Sequence, residues 1–238
     1  EREDVLQMFE GMVKKVFHSV RGIDLSDFPV MSYDEAMNSY GNDKPDIRFD
    51  MKIATLSPLS NGDGETAFIK SRGFKAFDEA GLVAGICVPG CAGYTRKQLD
   101  ELTEFVKRPQ IAATGLVYIR FNGFGSMKSS VDKFYNEEDL KKIASAFSAH
   151  PGDLILIIAG EKDRTLKALG ELRLEMANRL ELRDKKVFKP LWVVDFPLLE
   201  FNAEDGRFYA MHHPFTSPNP EDIHLLLENK DPGSIRAN

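Results

Sequence analysis

The sequence predicts an α+β protein whose central part is a two-layer assembly, a sheet covered by helices on one face. Three observations carry this. Short apolar runs of strand length occur at 82–88, 115–120 and 154–159. Between and after them lie segments with apolar residues at helical spacing and a capping residue in front. The alternation of the two kinds of segment is the pattern of helices packed on a sheet.

The elements follow in order. Val5, Met8, Phe9, Met12, Val13, Val16, Phe17 and Val20 recur at helical spacing, with Glu3 or Asp4 at the start and Gly22 at the end. This amphipathic helix needs a partner surface. A second helix starts at Ser32, where Glu35 three residues on completes a capping-box pattern, and it stops at Gly41. Asp43-Lys44-Pro45-Asp46 reads as a rigid turn. Leu59-Ser60-Asn61-Gly62-Asp63-Gly64-Glu65 is a flexible loop by composition. Leu82 to Val88 is a strand, and Thr95 caps a helix to about Lys107 with Leu99, Leu102 and Val106 on one face. After the strand at Tyr118, Gly123-Phe124-Gly125-Ser126-Met127-Lys128-Ser129 reads as a loop; it lacks the glycine–lysine spacing of a phosphate-binding loop. A helix runs from Glu137 to about Ala149, the run from Leu154 to Ala159 is a buried strand, and Asp163 or Thr165 opens a helix through Met176. Leu191-Trp192-Val193-Val194-Asp195-Phe196-Pro197 is a further strand.

Composition narrows the function classes. The chain has 238 residues, 42% hydrophobic and 29% charged, enough for one or two domains with a real core. A net charge of −6 implies no global attraction to nucleic acid, although Lys70-Ser71-Arg72-Gly73-Phe74-Lys75, Arg96-Lys97 and Lys185-Lys186 with Lys189 are local basic clusters. Such clusters are ordinarily solvated faces, and a few of them suffice for a phosphate contact on RNA. The two cysteines, Cys87 and Cys91, flank a Pro89-Gly90 turn and match neither a four-ligand zinc site nor a disulfide framework. They read as reduced thiols of a cytosolic protein. No apolar stretch is long enough to span a membrane, and the acidic start argues against a secretory signal. The nucleophile-elbow, zincin and EF-hand patterns are absent, and His18, His150 and His224 stand alone.

One stretch stands out: Met211-His212-His213-Pro214-Phe215-Thr216-Ser217-Pro218. Neighbouring side chains of an extended segment face opposite ways, so one histidine of the pair points into any given pocket. Taken alone, Pro214 stiffens a strand end and the rings are surface or satisfied core.

The flank Asp195-Phe196-Pro197-Leu198-Leu199-Glu200, followed by His212-His213-Pro214-Phe215-Thr216, resembles the bacterial-type aspartyl-tRNA synthetases. Upstream, Phe28-Pro29-Val30-Met31 and Tyr40-Gly41-Asn42-Asp43-Lys44-Pro45-Asp46-Ile47-Arg48 match a second motif of that family, with Asn42 where the family has serine. Between them, Val88-Pro89-Gly90, Thr95-Arg96-Lys97-Gln98-Leu99-Asp100, Lys133-Phe134 and Ala168-Leu169-Gly170-Glu171-Leu172-Arg173 resemble the family's GAD insertion module.

The resemblance implies an order of domains: residues 1–50 as a segment of a class II catalytic domain, 51–187 as the GAD insertion, and 188–238 as returning catalytic strands. It implies a parent enzyme that ligates L-aspartate to its tRNA with ATP and Mg2+, working as a homodimer in the cytoplasm. His212 is then a ligand of the substrate aspartate and His213 shapes the same wall or steadies the loop. The family is more than twice this length and carries an anticodon-binding barrel and ATP-binding motifs absent from these residues, so an inactive fragment is expected. The rival reading is a stand-alone GAD-type module that binds tRNA or a protein.

Overall fold

The computed structural model describes residues 2–56, 69–123, 126–202, 204–228 and 231–238. In chain order the elements are α1 (Arg2–Arg21), β1 (Val30–Ser32), α2 (Tyr33–Tyr40), β2 (Ala54–Thr55), α3 (Lys75–Asp78), β3 (Leu82–Val88), α4 (Arg96–Val106), β4 (Val117–Phe121), β5 (Met127–Ser129), α5 (Glu137–Ala146), β6 (Leu154–Gly160), α6 (Lys162–Arg179), β7 (Trp192–Val194), β8 (Leu199–Asn202), β9 (Arg207–Ala210) and α7 (Ile223–Leu227). The anticipated glycine-rich loop at 59–65 lies outside the described residues.

The chain divides into two compact units, one made of Glu1–Ala36 with Lys185–Asn238 and the other of Met37–Asp184. The sequence places the limits of the insertion at 51 and 187. The central unit takes in residues 37–50, where the side chain of Arg173 on α6 gathers the loop that precedes β2. Arg173 is 1% exposed. Its Nε donates to the carbonyl of Met51 (3.1 Å), and its Nη2 donates to the carbonyls of Asp46, Phe49 and Asp50 at 2.8–2.9 Å. The guanidinium also stacks on Phe49, 3.9 Å from the ring centroid, and on Tyr40 at 4.8 Å. Burial pulls its pKa down to about 10, still far above neutral, so the charge is kept. At the same place Gly41 adopts φ +66° and lies against the backbone of Leu166 and Gly170, where a Cβ would overlap the Leu166 carbonyl.

The central unit is built on a five-stranded antiparallel sheet in the order β2-β3-β6-β4-β5. On one face, Leu82, Ala84, Ile86, Leu154, Leu156 and Ile158 pack with Leu99, Leu102 and Val106 of α4 and with Leu166, Leu169, Leu172 and Met176 of α6. On the other, Val83, Ile119, Ile155 and Ile157 pack with Phe77 of α3 and with Leu140, Ile143 and Ala144 of α5. The α+β expectation therefore holds, and the two-layer expectation is corrected to three layers. The physical reason is that β3 and β6 are central strands with both faces covered, and such strands are apolar at every position rather than at alternate ones.

The helix boundaries follow the capping chemistry. Thr95 Oγ1 accepts from the Gln98 N–H, and the Gln98 side chain returns the bond to the Thr95 N–H (2.8 Å). Asn136 and Asp139 make the same reciprocal pair before α5. Glu161, rather than Asp163 or Thr165, caps α6 by accepting from Asp163 and Arg164 N–H. The stretch expected to be a loop after β4 contains β5, paired Ile119↔Ser129, Arg120↔Lys128 and Phe121↔Met127; Phe124 and Gly125 lie outside the described residues. A three-residue strand is too short to declare a period.

In the outer unit, β1 pairs in parallel with β7 (Val30↔Trp192) and β8 forms a hairpin with β9. Glu10 of α1 secures the first pair: its carboxylate accepts from the Phe28 N–H (3.2 Å) and from the Trp192 indole Nε1 (3.3 Å). None of α1 is buried, and Val5, Met8, Phe9, Met12, Val16 and Val20 are exposed.

Two predictions come from this packing. Arg173→Met is expected to lower stability by about 3 kcal/mol or more, since several buried carbonyls lose their donor at roughly 1–3 kcal/mol each; a urea midpoint within error of the parent would refute the anchoring role. The second concerns acid. Asp46 accepts from Arg48 Nη2 (2.6 Å) and Nε (2.9 Å) and from Arg183 Nε (3.1 Å), and chiefly the Arg48 bond lowers its pKa to about 2. A depressed folded-state pKa means that its stabilisation is fully present above the unfolded carboxylate value of about 3.9 and fades as pH falls toward 2. Asp46→Asn should flatten the stability profile in that window alone, as read by circular dichroism.

Candidate functional site

The histidine segment lies within the outer unit, on a frame closed by the last four residues of the chain. The Leu198 N–H donates to the Ile235 carbonyl (2.8 Å), the Ala237 N–H to the Phe196 carbonyl (2.7 Å), and the Asn219 N–H to the Arg236 carbonyl (2.8 Å). The final strap therefore bridges both flanks of the histidine segment, at Pro197 and at Pro218. Its clasp is Arg236. Its Nε and Nη2 bind the two oxygens of Asp222 at 2.8 and 2.9 Å, and its backbone N–H donates to the same carboxylate at 2.9 Å. These bonds hold the Asp222 carboxyl down at about 2 and push the Arg236 pKa up.

On this frame the two imidazoles meet different rings. His212 meets Phe196 edge-on at a centroid distance of 5.0 Å, and Phe196 in turn lies 5.0 Å from Tyr33 at the start of α2. A string of rings thus connects the chain's first segments to the histidine loop. Asp195, next to Phe196, has φ +58°, a left-handed conformation that breaks the strand and turns the following residue. The Arg2 guanidinium stands 3.4 Å from the Asp195 carboxylate.

His213 is spent on the turn. Its Nδ1 accepts from the Phe215 N–H (3.2 Å), its carbonyl accepts from the Thr216 N–H (3.0 Å), and its ring stacks edge-on with Phe215 at 5.1 Å. Pro214 occupies the first inner position of that turn, where its fixed φ fits. Both histidines are exposed, and Phe215 is 90% exposed. An exposed imidazole held by one aromatic contact keeps its ring nitrogens for a ligand, and an imidazole N–H can hold a carboxylate.

The other sequence candidates have structural work. Asp43-Lys44-Pro45-Asp46 is a turn in the central unit: the Lys44 N–H binds Asn42 Oδ1 at 2.7 Å, and Asp46 is taken up by Arg48 and Arg183. Cys87 and Cys91 are free thiols. Burial and then the neighbouring Asp153 raise the Cys87 pKa to about 12, which leaves it protonated and inert at neutral pH. Among the described residues no group of three or more His, Cys, Asp or Glu could hold a metal, and no helix is long and apolar enough to cross a membrane. The Asp222–Arg236 clasp was missed in the sequence because its members are separated by fourteen positions and carry no motif.

The GAD domain family matches residues 74–169, which lie within the central unit. The whole chain is similar to aspartate–tRNA ligases. It is 56% identical to that of Parabacteroides distasonis over 240 aligned residues, 56% identical to that of Bacteroides fragilis and 50% identical to that of Flavobacterium psychrophilum. Each alignment covers all of this chain and 39% of the relative. The resemblance read from the motifs is thereby confirmed.

One consequence of the clasp is measurable. Asp222→Asn is expected to speed hydrogen exchange at the Ala237 and Asn219 amides while leaving β3 and β6 protected. Unchanged exchange at both amides would count against the clasp.

Proposed function

We propose that this chain is part of an enzyme that ligates L-aspartate to its tRNA, and that His212 is a ligand of the amino acid. Segments 1–50 and 188–238 are then pieces of the class II catalytic domain, and 51–187 is the GAD insertion. The observation that carries the reading is the histidine loop: one exposed imidazole braced on Phe196 and Tyr33, on a strap fixed by a bidentate carboxylate–guanidinium pair. The names of the relatives support it.

The chemistry has two steps. The α-carboxylate of aspartate attacks the α-phosphorus of ATP and expels pyrophosphate, giving aspartyl-adenylate. A hydroxyl of the terminal tRNA ribose then attacks the acyl carbon and releases AMP. Mg2+ neutralises the charge that builds on the phosphates. The described residues form no group able to hold that ion, so no step is assigned to a metal ligand of this chain. The part of His212 is to donate an imidazole N–H to a substrate carboxylate and so to reject analogues that lack it. His213, committed to its turn, fixes the backbone from which His212 projects. The parent is further proposed to be a homodimer in the cytoplasm; Cys87 and Cys91 are free thiols, and among the described residues no helix is long and apolar enough to cross a membrane.

Aspartate-dependent ATP–pyrophosphate exchange tests this. The 238-residue chain by itself should show none. In the complete ligase, His212→Ala should raise KM for aspartate about 10- to 100-fold, the worth of one hydrogen bond to a charged group. An unaltered KM would sink the assignment of His212.

A further inference from the structure

We infer that Tyr118, Arg120 and Lys128, with Arg96 beside them, form a contact surface for the phosphate backbone of an RNA strand. Two independent observations lead there. The first is an orphan: Arg120 Nε is the one buried side-chain nitrogen or oxygen among the described residues without a hydrogen-bond partner. A buried donor left unsatisfied is costly, and in native proteins each such group asks for an explanation, an anion among them. The second is the register. Arg120 of β4 stands directly opposite Lys128 of β5. Like charges facing each other across an antiparallel pair repel, and the repulsion is relieved when an anion bridges them.

The surroundings fit phosphate better than an isolated anion. Tyr118 is two residues from Arg120 and so on the same face, 5.7 Å from the Arg120 guanidinium. The Arg96 guanidinium lies near Tyr118, and its Nε donates to Asp100 at 2.8 Å. Two arginines thus flank one aromatic ring, Lys128 stands in register with one of them, and Asp100 is the carboxylate on the other. Cations interleaved with a ring are how proteins follow a nucleic-acid strand, the charges on phosphates and the ring on a base or ribose. Edge protection alone accounts for Lys128, because a lysine on an edge strand discourages strand addition. It does not account for a second cation in register with it, nor for a donor buried without an acceptor.

The choice of RNA rests on the reading of the chain as part of a tRNA-charging enzyme. The test uses the 238-residue chain and a fluorescent tRNA transcript, with anisotropy measured across a salt series. Arg120→Gln/Lys128→Gln is expected to weaken binding about tenfold and to make the slope of log K against log salt shallower by about 1–2, the release of counterions from one or two phosphates. Arg120→Lys/Lys128→Arg keeps both charges and should keep the slope. No RNA binding by the unaltered chain, an unchanged slope in the glutamine pair, or an equal loss in the charge-conserving pair would each overturn the inference. So would displacement of the RNA by an acidic peptide as effective as displacement by unlabelled tRNA. Aspartate-dependent pyrophosphate exchange in the complete ligase precedes the tRNA step. The glutamine pair should leave it intact and His212→Ala should impair it, so the two readings fail in different assays.

Discussion

The central unit depends on one buried guanidinium. Arg173 donates to four carbonyls between Asp46 and Met51 and is sandwiched by Tyr40 and Phe49. A buried charge with no counter-ion is normally prohibitive. Here the dipoles of a folded-back loop replace water, and the aromatic faces add cation–π attraction. The loop can take that shape only because Gly41 passes against α6 without a side chain. Asp46 then ties Arg48 to Arg183, and Arg48 Nη1 reaches the Asp184 carbonyl at 2.8 Å. The two ends of the unit are therefore clasped side by side. A unit closed in this way holds its own core together.

Much of this was legible in the sequence because it is local. Capping at Thr95, the apolar runs of β3 and β6, and the glycine stop at Gly41 are each written within a few residues. The layer count was misread for an instructive reason. The run from Leu154 to Ile158 is apolar at every position, and an unbroken run already states that both faces are covered. A single covered face would have produced alternation. The short strands β2, β5, β8 and β9 left no periodic signal, and their existence is decided by partners far along the chain.

The histidine loop shows the same division. The resemblance to the ligases assigned the ligand role to His212 by position, but the residue types of the doublet do not by themselves tell the two apart. What separates them is geometry. His213 Nδ1 is taken by the Phe215 amide, whereas among the described residues His212 has an aromatic edge contact and no hydrogen bond. The Asp222–Arg236 pair that braces the loop was illegible because it joins a short helical turn to a terminal strap with no pattern in between.

Three arginines illustrate how environment assigns work to one side-chain type. Arg173 is buried and satisfied by carbonyls, and its task is architecture. Arg236 is satisfied by Asp222 and Glu221, and its task is to hold a strap beside the histidine loop. Arg120 has a buried Nε with no acceptor among the described residues. The acceptor missing for the third fits the RNA contact inferred above. The planar fork suits phosphate oxygens, and Lys128 opposite adds a second positive charge where one anion can neutralise both. Sequence patterning marks neither residue, since an arginine and a lysine on neighbouring strands look like ordinary solubility charges until the register places them face to face.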